Sequence, residues 1–397
     1  MSSNMNALSF DNTTLIASLV LILLGILTPM LNPFFRFRKK QQHDDADLEN
    51  STASPPISLI LTPYDNANRL EKTLPFFLRQ NYPSGYQVII VTEQKDHDAE
   101  EIISRTLSHS NMAESHAEIY VTHIPKSSRY VSRKKLAITL GIKAAKYDWV
   151  MVTEASCRPS SNQWLSKMAR HCNNGNNLVI GYGNYENSTS PFRRFERLHN
   201  AFYLMREASK GHAYRNTSYN LLLRKSEFLE NAGFLGNLHL TRGEYDFLVN
   251  KYAKEDSTAL ETSDEAWLIE DTPSDKTWLN RHLFYLESRK FLQRSTPHRW
   301  LYNIDQLTLH ITYLGCIATI AYAAITPNWI LLGASIAALL TALVFRGVLC
   351  HRALKNFGED ISVLQALFFE VTQVWHNLNY MIRYRFANKY DFTTHKL

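Results

Sequence analysis

Apolar residues are concentrated in long runs near the two ends of the chain. The first run, TLIASLVLILLGILTPML, covers residues 14–31 without a charge, and a second zone over residues 307–350 is interrupted at Pro327 and Asn328. At about 1.5 Å per helical residue, these runs are long enough to cross a hydrocarbon layer of roughly 30 Å. The pattern predicts one N-terminal transmembrane helix and one C-terminal transmembrane hairpin.

Cations flank these apolar runs on one side. Arg36, Arg38, Lys39 and Lys40 follow the first run, no Lys or Arg precedes it, and the connection of the hairpin carries none. Because cytoplasmic flanks are enriched in Lys and Arg, we expect an integral protein of a bacterial inner membrane with its N-terminus outside and its central domain in the cytoplasm. A cleaved signal peptide is the alternative. In a signal peptide the basic residues precede the apolar run, whereas in this chain they follow it.

The segment after the hairpin repeats apolar residues on one helical face. The members of this face are Ile361, Leu364, Phe368, Val371, Trp375 and Leu378. Such a pattern, followed by basic residues, is typical of an amphipathic helix that lies in the cytoplasmic interface and contacts membrane lipids. A helix packed on the central domain is the alternative interpretation.

Between these segments, short strand-like runs alternate with helical patterns. The runs ISLILTP, QVIIVTE, AEIYVTHI and WVMVTE are separated by segments such as NRLEKTLPFFLRQ and SRKKLAITLGIKAAK. The alternation predicts a parallel α/β sheet whose ligands bind beyond the carboxyl ends of the strands. The expected domains are an anchor at 1–40, a linker at 41–55, an α/β domain at 56–295, a hairpin at 305–350 and an interfacial helix with a basic tail at 351–397.

The composition excludes several classes of protein. The 397 residues include 43 Lys+Arg and 37 Asp+Glu, for a net charge of +6, and 45% are hydrophobic. This apolar content is enough for a core, so disorder is not expected to dominate. Four scattered cysteines without metal-ligand spacing argue against a disulfide scaffold and a zinc site. Nucleic-acid binding is not expected, since much of the basic excess flanks the apolar runs and no zinc, helix-turn-helix or aromatic RNA-binding motif is present.

The order of motifs in the central segment resembles that of inverting family 2 glycosyltransferases, which have the GT-A fold. The resemblance covers about residues 56–290. It rests on ISLILTPYDNANRLEKTLPFFLRQNYPSGYQVIIVTE, on SRKKLAITLGIKAAKYDWVMVTEASCRP and on Gly233-Phe234 with RGEYDF after it. It implies a Rossmann-like mixed α/β sheet, a nucleotide diphosphate sugar as donor and a lipid-linked or polymeric glycan as acceptor.

The resemblance assigns nucleotide-sugar contacts to four positions. Pro63 and Asp65 match the loop that holds the nucleotide, Glu93 matches an acidic residue that reads it, and Lys134 matches a lysine near the donor phosphates. Residues 133–135 also form a cation cluster at a predicted helix start, where positive charge is unfavourable, which favours an anionic partner. A solvated basic face is the alternative.

The metal motif departs from the family pattern. Where the family has Asp-x-Asp, this chain has Glu154-Ala155-Ser156. Since divalent cations prefer several anionic oxygens, Glu154 and Ser156 imply weakened binding of Mg²⁺ or Mn²⁺. A surface turn without metal is the alternative.

The base motif departs as well. Family members usually place an Asp after an acidic residue at a helix start, whereas this chain reads Gly243-Glu244-Tyr245-Asp246. With an ordinary pKa of about 10, Tyr245 is a poor base. We therefore predict Asp246, with Glu244 as the other candidate, as the general base. The alternative is an acidic first turn that only complements the helix dipole.

A third family motif, Gln-x-x-Arg-Trp, is not preserved. Arg281 and His282 in its place offer cations to the diphosphate or acceptor side, or are simply flanking residues of the hairpin. Two functions follow from the sequence. One is an active membrane glycosyltransferase, and the other is a catalytically degenerate relative that binds a nucleotide sugar or scaffolds a glycan-assembly complex.

Overall fold

The structure is a computed structural model that describes residues 11–36, 54–62, 67–94, 96–109, 117–125, 131–172 and 175–394. The chain divides into two compact units. The helical unit comprises Met1–Arg38, Pro191–Arg206 and Arg294–Leu378, and the sheet unit comprises Lys39–Ser190, Glu207–Gln293 and Asn379–Leu397.

The sheet unit contains a seven-stranded mixed sheet. Its strands are β1 (Ile57–Thr62), β2 (Tyr86–Glu93), β3 (Ala117–Ile124), β4 (Trp149–Glu154), β6 (Leu178–Gly181), β8 (Leu221–Arg224) and β9 (Thr258–Glu261). They lie in the order β3-β2-β1-β4-β8-β6-β9. The first four are mutually parallel, and β8 runs antiparallel to both β4 and β6. The prediction of a parallel-dominated, mixed α/β sheet is confirmed.

A smaller three-stranded sheet and several helices complete this unit. The small sheet has the order β5-β10-β7, from Cys157–Pro159, Leu268–Glu270 and Gly183–Tyr185. The helices are α3 (Ala67–Leu78), α4 (His97–His109), α5 (Arg133–Ala144), α6 (Trp164–Ala169), α8 (Lys225–Glu230), α9 (Glu244–Tyr252), α10 (Asp275–Ser288) and α14 (Tyr390–Thr393). A 3-10 turn covers Asp264–Ala266.

The large sheet is apolar on both faces because helices cover both. Alternate residues of β1 enter two different core clusters, Leu59 with α3 on one face and Ile60 with α5 on the other. Nearly full burial of both faces at β1, β2 and β4 explains why these three strands read as continuous apolar runs in the sequence. Helix α5 approaches β1 closely, since a Cβ added at Gly141 would lie 2.6 Å from Cγ2 of Ile60. This close packing holds α5 directly against β1.

The helical unit is built from long apolar helices. They are α1 (Asn12–Leu31), α11 (Thr296–Ile325), α12 (Trp329–Asn356) and most of α13 (Val363–Phe386), with the short α2 (Pro33–Arg36) and most of α7 (Pro191–Ala208) beside them. Within the described ranges, three helices are long and apolar enough to cross a membrane: α1, Arg299–Ile325 of α11, and α12. The prediction of one N-terminal and two C-terminal candidate spans is confirmed.

Buried charges tie these helices together. The fully buried Arg346 of α12 donates to Asp305 of α11 and to Glu370 of α13, each at 3.0 Å. It also donates to the carbonyl oxygen of Thr28 in α1 at 2.9 Å. Because a buried charge is tolerated only when paired and hydrogen-bonded, this cluster fixes four helices in one arrangement.

The apolar face of α13 points outward within the helical unit. Leu364, Phe368 and Trp375 are 81%, 64% and 62% exposed, whereas Glu370 and Gln373 are fully buried. The helix therefore directs polar groups inward and apolar groups outward. This is the reverse of an amphipathic helix packed by its apolar face on a protein core, and it agrees with contact between that face and lipid.

Candidate functional site

The candidate site lies at the carboxyl ends of the parallel strands of the sheet unit. Thr62 at the end of β1 is paired in register with Glu154 at the end of β4, and Glu93 ends the neighbouring β2. The predicted nucleotide contacts Pro63 and Asp65 lie outside the described residues. The structure thus places two of the predicted carboxylates, Glu93 and Glu154, at one edge of the sheet.

The basic cluster at the start of α5 is paired with these carboxylates. Nε of Arg133 donates to Oε1 of Glu93 at 2.6 Å, and a second guanidinium nitrogen contacts the other oxygen. The Lys134 ammonium donates to Oε1 of Glu154. Arg133 and Lys134 therefore each have an anionic partner within the protein itself. Contact of Lys134 with a donor phosphate stays a prediction.

The third cation of the cluster anchors the loop before α9. The Lys135 ammonium is buried and donates to the carbonyl oxygens of Asn237 and Leu240 at 2.6 and 2.7 Å. Burial lowers the pKa of Lys135 to about 8, and the nearby Glu244 carboxylate opposes that fall. Lys135 thus holds the segment that leads into the first turn of α9 against α5.

The first turn of α9 carries the predicted bases. Gly243 precedes it with φ of +92°, a left-handed conformation in which glycine is unstrained. Glu244 is 5% exposed, and its Oε1 accepts a hydrogen bond from Oγ of Ser132, the N-cap of α5, at 3.3 Å. Oδ1 of Asp246 accepts a hydrogen bond from Nε of Arg215 at 3.2 Å.

Burial and a neighbouring cation act on the carboxyl group of Asp246 in opposite directions. Burial raises the pKa of Asp246, while the Arg215 guanidinium and its hydrogen bond oppose the rise. A raised carboxylate pKa lies closer to neutral pH, which improves a proton acceptor as long as the group remains ionised. The cation at Arg215 favours that ionised form.

Tyr245 is unsuited to proton abstraction. Burial raises the pKa of its hydroxyl well above the usual value, and the carboxylate of Glu154 raises it further. The ring contributes instead to an aromatic cage around Lys134. Nζ of Lys134 lies 5.3 Å from the ring centroids of both Tyr245 and Tyr219, and these two rings meet edge to face at 4.9 Å.

A second cation contacts the same cage. The Arg281 guanidinium lies 5.4 Å from the ring centroid of Tyr219, donates to the hydroxyl of Tyr185 at 2.7 Å and is bonded to the buried Glu270 of β10. Tyr219 has φ of +54°, a conformation that bulky residues rarely adopt. This strained backbone sets the Tyr219 ring against both Lys134 and Arg281.

His282 lies in a different environment on the same helix. Its ring stacks on Tyr380 with centroids 4.0 Å apart, and Nδ1 lies 2.9 Å from the carbonyl oxygen of Trp278. Of the two residues predicted for the diphosphate or acceptor side, Arg281 therefore belongs to the aromatic cage and His282 to an aromatic stack.

The residues at the predicted metal position do not fit a divalent cation. The carboxylate of Glu154 is bonded to an ammonium, and Ser156 is buried with its Oγ 4.0 Å from Sγ of Cys157. Among the described residues, no group of three or more His, Cys, Asp or Glu side chains converges as a metal site. A hard cation that requires several anionic oxygens would meet one carboxylate already neutralised by Lys134.

Four residues of the site were not singled out from the sequence. Arg215 and Tyr219 lie in the polar run RNTSYN, residues 215–220, between a helix and a short strand. Tyr185 and Glu270 lie on short strands of the small sheet, and nothing in their local pattern marks them. Their proximity arises from tertiary packing alone.

No protein-family model matches the chain, and no curated protein matches it significantly. Solved structures with a similar course of the chain include the mannosyltransferase PcManGT from Pyrobaculum calidifontis in complex with GDP-Man and Mn²⁺, with 14% identity, a TM-score of 0.45 and coverage of 83% of this chain and 99% of that one. S. aureus TarS 1-349 in complex with UDP-GlcNAc has 11% identity, a TM-score of 0.41 and coverage of 81% and 92%. At these identities and TM-scores the likeness assigns no activity to this chain.

Proposed function

We propose that this protein is a membrane-attached glycosyltransferase. It transfers a sugar, with inversion, from a nucleotide diphosphate sugar to a lipid-linked or polysaccharide acceptor at the cytoplasmic face. One observation carries the proposal. The ammonium of Lys134, at the carboxyl edge of the parallel strands, contacts the ring of Tyr245, and the residues before and after Tyr245 in the sequence are the two candidate bases, Glu244 and Asp246. Group transfer to a hydroxyl requires such a cation for the leaving group and a base for the incoming oxygen.

The donor side of the site is formed by the ends of β2 and β4 and the start of α5. Glu93 and Arg133 are paired there, and both remain partly exposed, with 27% and 18% of their side chains accessible. A nucleotide presents hydrogen-bond donors and acceptors that suit such a pair. Lys134 and Arg281 provide positive charge for the departing diphosphate.

The acceptor side is formed by the first turn of α9. In the proposed step, the acceptor hydroxyl gives its proton to the Asp246 carboxylate as its oxygen forms a bond to the anomeric carbon. The bond between that carbon and the diphosphate oxygen breaks, and its electron pair leaves with the diphosphate. Arg215 keeps Asp246 ionised before the transfer, and the raised pKa of Asp246 favours acceptance of the proton.

A membrane location agrees with an acceptor that carries a lipid. The helical unit has three candidate spans, and the exposed apolar face of α13 supports an interfacial position for this helix. The basic flanks of the spans support a cytoplasmic site.

A second candidate function is a degenerate relative that binds a nucleotide sugar without turnover. It is favoured by the pairing of Glu154 with Lys134 and of Asp246 with Arg215, because each carboxylate is already neutralised by a protein cation. The two functions differ in turnover and not in donor binding.

The test is a transfer and donor-hydrolysis assay on the detergent-solubilised full chain with UDP-glucose, UDP-N-acetylglucosamine and GDP-mannose. We expect Asp246→Asn to lower turnover by about 10²-fold or more while donor affinity is retained, because the proton acceptor is lost and the donor-side contacts of Glu93, Arg133 and Lys134 are not changed. Asp256→Asn is the matched control, since Asp256 is exposed and its φ of +61° suits asparagine. Donor binding without turnover in the wild type would favour the degenerate relative, and full activity of Asp246→Asn would refute the assignment of the base.

A further inference from the structure

We infer that Lys134 takes the place of a divalent cation, so that the donor diphosphate is bound and released without metal. The inference rests on the proposed function and extends it to the chemical identity of the charge that stabilises the leaving group. It starts from the position of one ammonium. Glu154, the carboxylate aligned with the metal motif, is bonded to Lys134.

The charges around Glu154 oppose a metal ion. One carboxylate and one ammonium have no net charge, so a dication placed at Glu154 would lose its attraction to the carboxylate and be repelled by the ammonium. If a dication took over Glu154, the Lys134 ammonium would remain beside the rings of Tyr219 and Tyr245 without its carboxylate partner. Ser156 is 4% exposed and is a weak replacement for the second carboxylate of a metal motif.

The same ammonium remains accessible to a ligand. The Lys134 side chain is 24% exposed, against 15% for Glu154. An ammonium has three N–H donors, and the contact with Glu154 uses one of them. Lysine is a common phosphate ligand as a point charge, and a bond from its ammonium to a phosphate oxygen is charge-assisted.

The aromatic cage positions this charge. The rings of Tyr219 and Tyr245 both lie 5.3 Å from Nζ, so the side chain is held by cation–π contacts from two directions. The Arg281 guanidinium also contacts the ring of Tyr219, at 5.4 Å from its centroid. Two monovalent cations, from α5 and α10, therefore contact one ring, and each is balanced by a carboxylate of the protein.

The fixed partners of these cations reduce the reorganisation needed at transfer. Glu154 and Glu270 hold Lys134 and Arg281 in place before the donor binds. Preorganised charges stabilise a developing anion more effectively than groups that must move. As the glycosidic bond to the diphosphate breaks, the electron pair develops on a phosphate oxygen that these cations face.

The test measures donor binding to the detergent-solubilised full chain by titration calorimetry, with UDP-glucose, UDP-N-acetylglucosamine and GDP-mannose. Each titration is run in excess EDTA and again with Mn²⁺. We expect the wild-type affinity to differ by less than about twofold between the two conditions, because the protein supplies its own cations. Turnover is expected to be equally insensitive to EDTA.

Variants of the ion pair sharpen the test. Lys134→Met is expected to weaken donor binding in EDTA by about tenfold or more, because a charge-assisted contact is lost. Mn²⁺ should restore part of that affinity, since Glu154 is no longer neutralised, and spin resonance should show Mn²⁺ bound to this variant and not to the wild type. Lys146→Met is the matched control, because Lys146 forms an exposed pair with Glu118 at 2.7 Å just beyond the other end of α5. The melting temperature of each variant verifies folding.

The outcomes separate the inference from the proposed function. Donor binding that is abolished by EDTA and restored by Mn²⁺ in the wild type would overturn the inference and leave the glycosyltransferase intact. Lack of binding of all three donors in both conditions would overturn the proposed function and the inference with it. Equal affinities of Lys134→Met, Lys146→Met and the wild type in EDTA would also overturn the inference.

Discussion

Asp246 and Arg215 form a buried ion pair at the first turn of α9. Oδ1 of Asp246 accepts the hydrogen bond from Nε of Arg215 at 3.2 Å, and the side chains are only 11% and 17% exposed. The guanidinium also lies 3.6 Å from the ring centroid of Tyr285. Arg215 thus controls both the position and the ionisation of the proposed base.

Substitution of Arg215 should therefore change the pH dependence of the reaction. Burial raises the pKa of Asp246 and Arg215 lowers it, so Arg215→Met should raise the pKa further. The acid limb of the kcat/KM profile should move to higher pH by about one unit or more, with a larger loss of activity at acid than at alkaline pH. Arg215→Lys should shift the limb less. Arg224→Met, which breaks a pair with Asp148 elsewhere in the sheet unit, is the control. An acid limb that does not shift in Arg215→Met would contradict the assignment of Asp246 as the general base.

A buried carboxylate away from the site should contribute to stability. Glu261 accepts hydrogen bonds from Nε of Arg170 at 2.6 Å and from the backbone N–H of Ser263 at 2.7 Å, and its carboxylate lies 2.9 Å from Nε2 of His171. Burial alone would raise the pKa of Glu261, but His171 and Arg170 together lower it to about 2. The stabilisation is therefore fully present above the unfolded-state pKa of about 4.5 and is lost as the pH falls towards 2.

Glu261→Gln should lower the free energy of unfolding by about 3 kcal/mol at pH 7. The corresponding fall in melting temperature should shrink as the pH is lowered from 5 towards 3, because the wild type then loses the same contribution. Differential scanning fluorimetry at several pH values measures this difference. Glu255→Gln, at an exposed position, is the control. If the melting-temperature difference between Glu261→Gln and the wild type grew as the pH was lowered, the pairing of Glu261 with Arg170 and His171 would be contradicted.

The elements of the fold could be predicted because local patterns determine them. The strands at Ile57–Thr62 and Trp149–Glu154 are buried on both faces and therefore appear as short apolar runs. The spans α1 and α12 are long and uncharged over most of their length, and they too were predicted from the sequence. A strand buried on both faces and a helix apolar enough to cross a membrane each leave a direct signature in residue type.

The site could be predicted only in part because its contacts join distant segments. The charge at the start of α5 favoured an anionic partner, but the sequence does not reveal that Arg133 and Lys134 pair with Glu93 and Glu154, 40 and 20 residues away. The pairing of Asp246 with Arg215 spans 31 residues in the same way. Similarly, the apolar face of α13 was visible in the sequence, whereas the burial of Glu370 on its other side was not.

Gly243 should be sensitive to substitution because of its backbone. At φ of +92°, an alanine is strained, and its Cβ would lie 3.3 Å from Cβ of Ser288. Gly243→Ala should cost about 1 kcal/mol of stability and reduce kcat/KM, since the first turn of α9 carries both candidate bases. Gly333→Ala lies within α12, where an added Cβ meets nothing within 4 Å, and should leave kcat/KM unchanged without lowering stability. Thermal unfolding measures the change in stability, and steady-state rates measure the change in kcat/KM. Equal melting temperatures and equal rates of Gly243→Ala and Gly333→Ala would show that alanine is not strained at residue 243.

The proposed topology can be tested by cysteine labelling. Lys210→Cys in the sheet unit and Thr326→Cys at the tip of the hairpin are both at exposed positions. The basic flanks of the spans imply that residue 210 is cytoplasmic and residue 326 external. A membrane-impermeant maleimide should therefore label Thr326→Cys in intact cells, and Lys210→Cys only after the inner membrane is permeabilised. The parent chain controls for its four free cysteines, and labelling of residue 210 in intact cells would reverse the orientation.

Arg346 should be essential for the stability of the helical unit. It pairs with both Asp305 and Glu370, and all three side chains are inaccessible. Arg346→Met would leave two buried carboxylates without a cation, at a cost of about 3–5 kcal/mol. The melting temperature and the monodisperse fraction in detergent should both fall, whereas Arg352→Met, at an exposed position on the same helix, should leave them unchanged.

A charge-balanced variant separates the effect of unpaired charge from that of lost packing. Adding Asp305→Asn and Glu370→Gln to Arg346→Met removes every charge of the cluster while preserving the side-chain volumes closely. Because the main penalty arises from uncompensated buried charge, the triple variant should recover most of the lost melting temperature. If the triple variant were no more stable than Arg346→Met, the guanidinium would act through its shape and its hydrogen bond to the carbonyl of Thr28 and not through charge neutralisation.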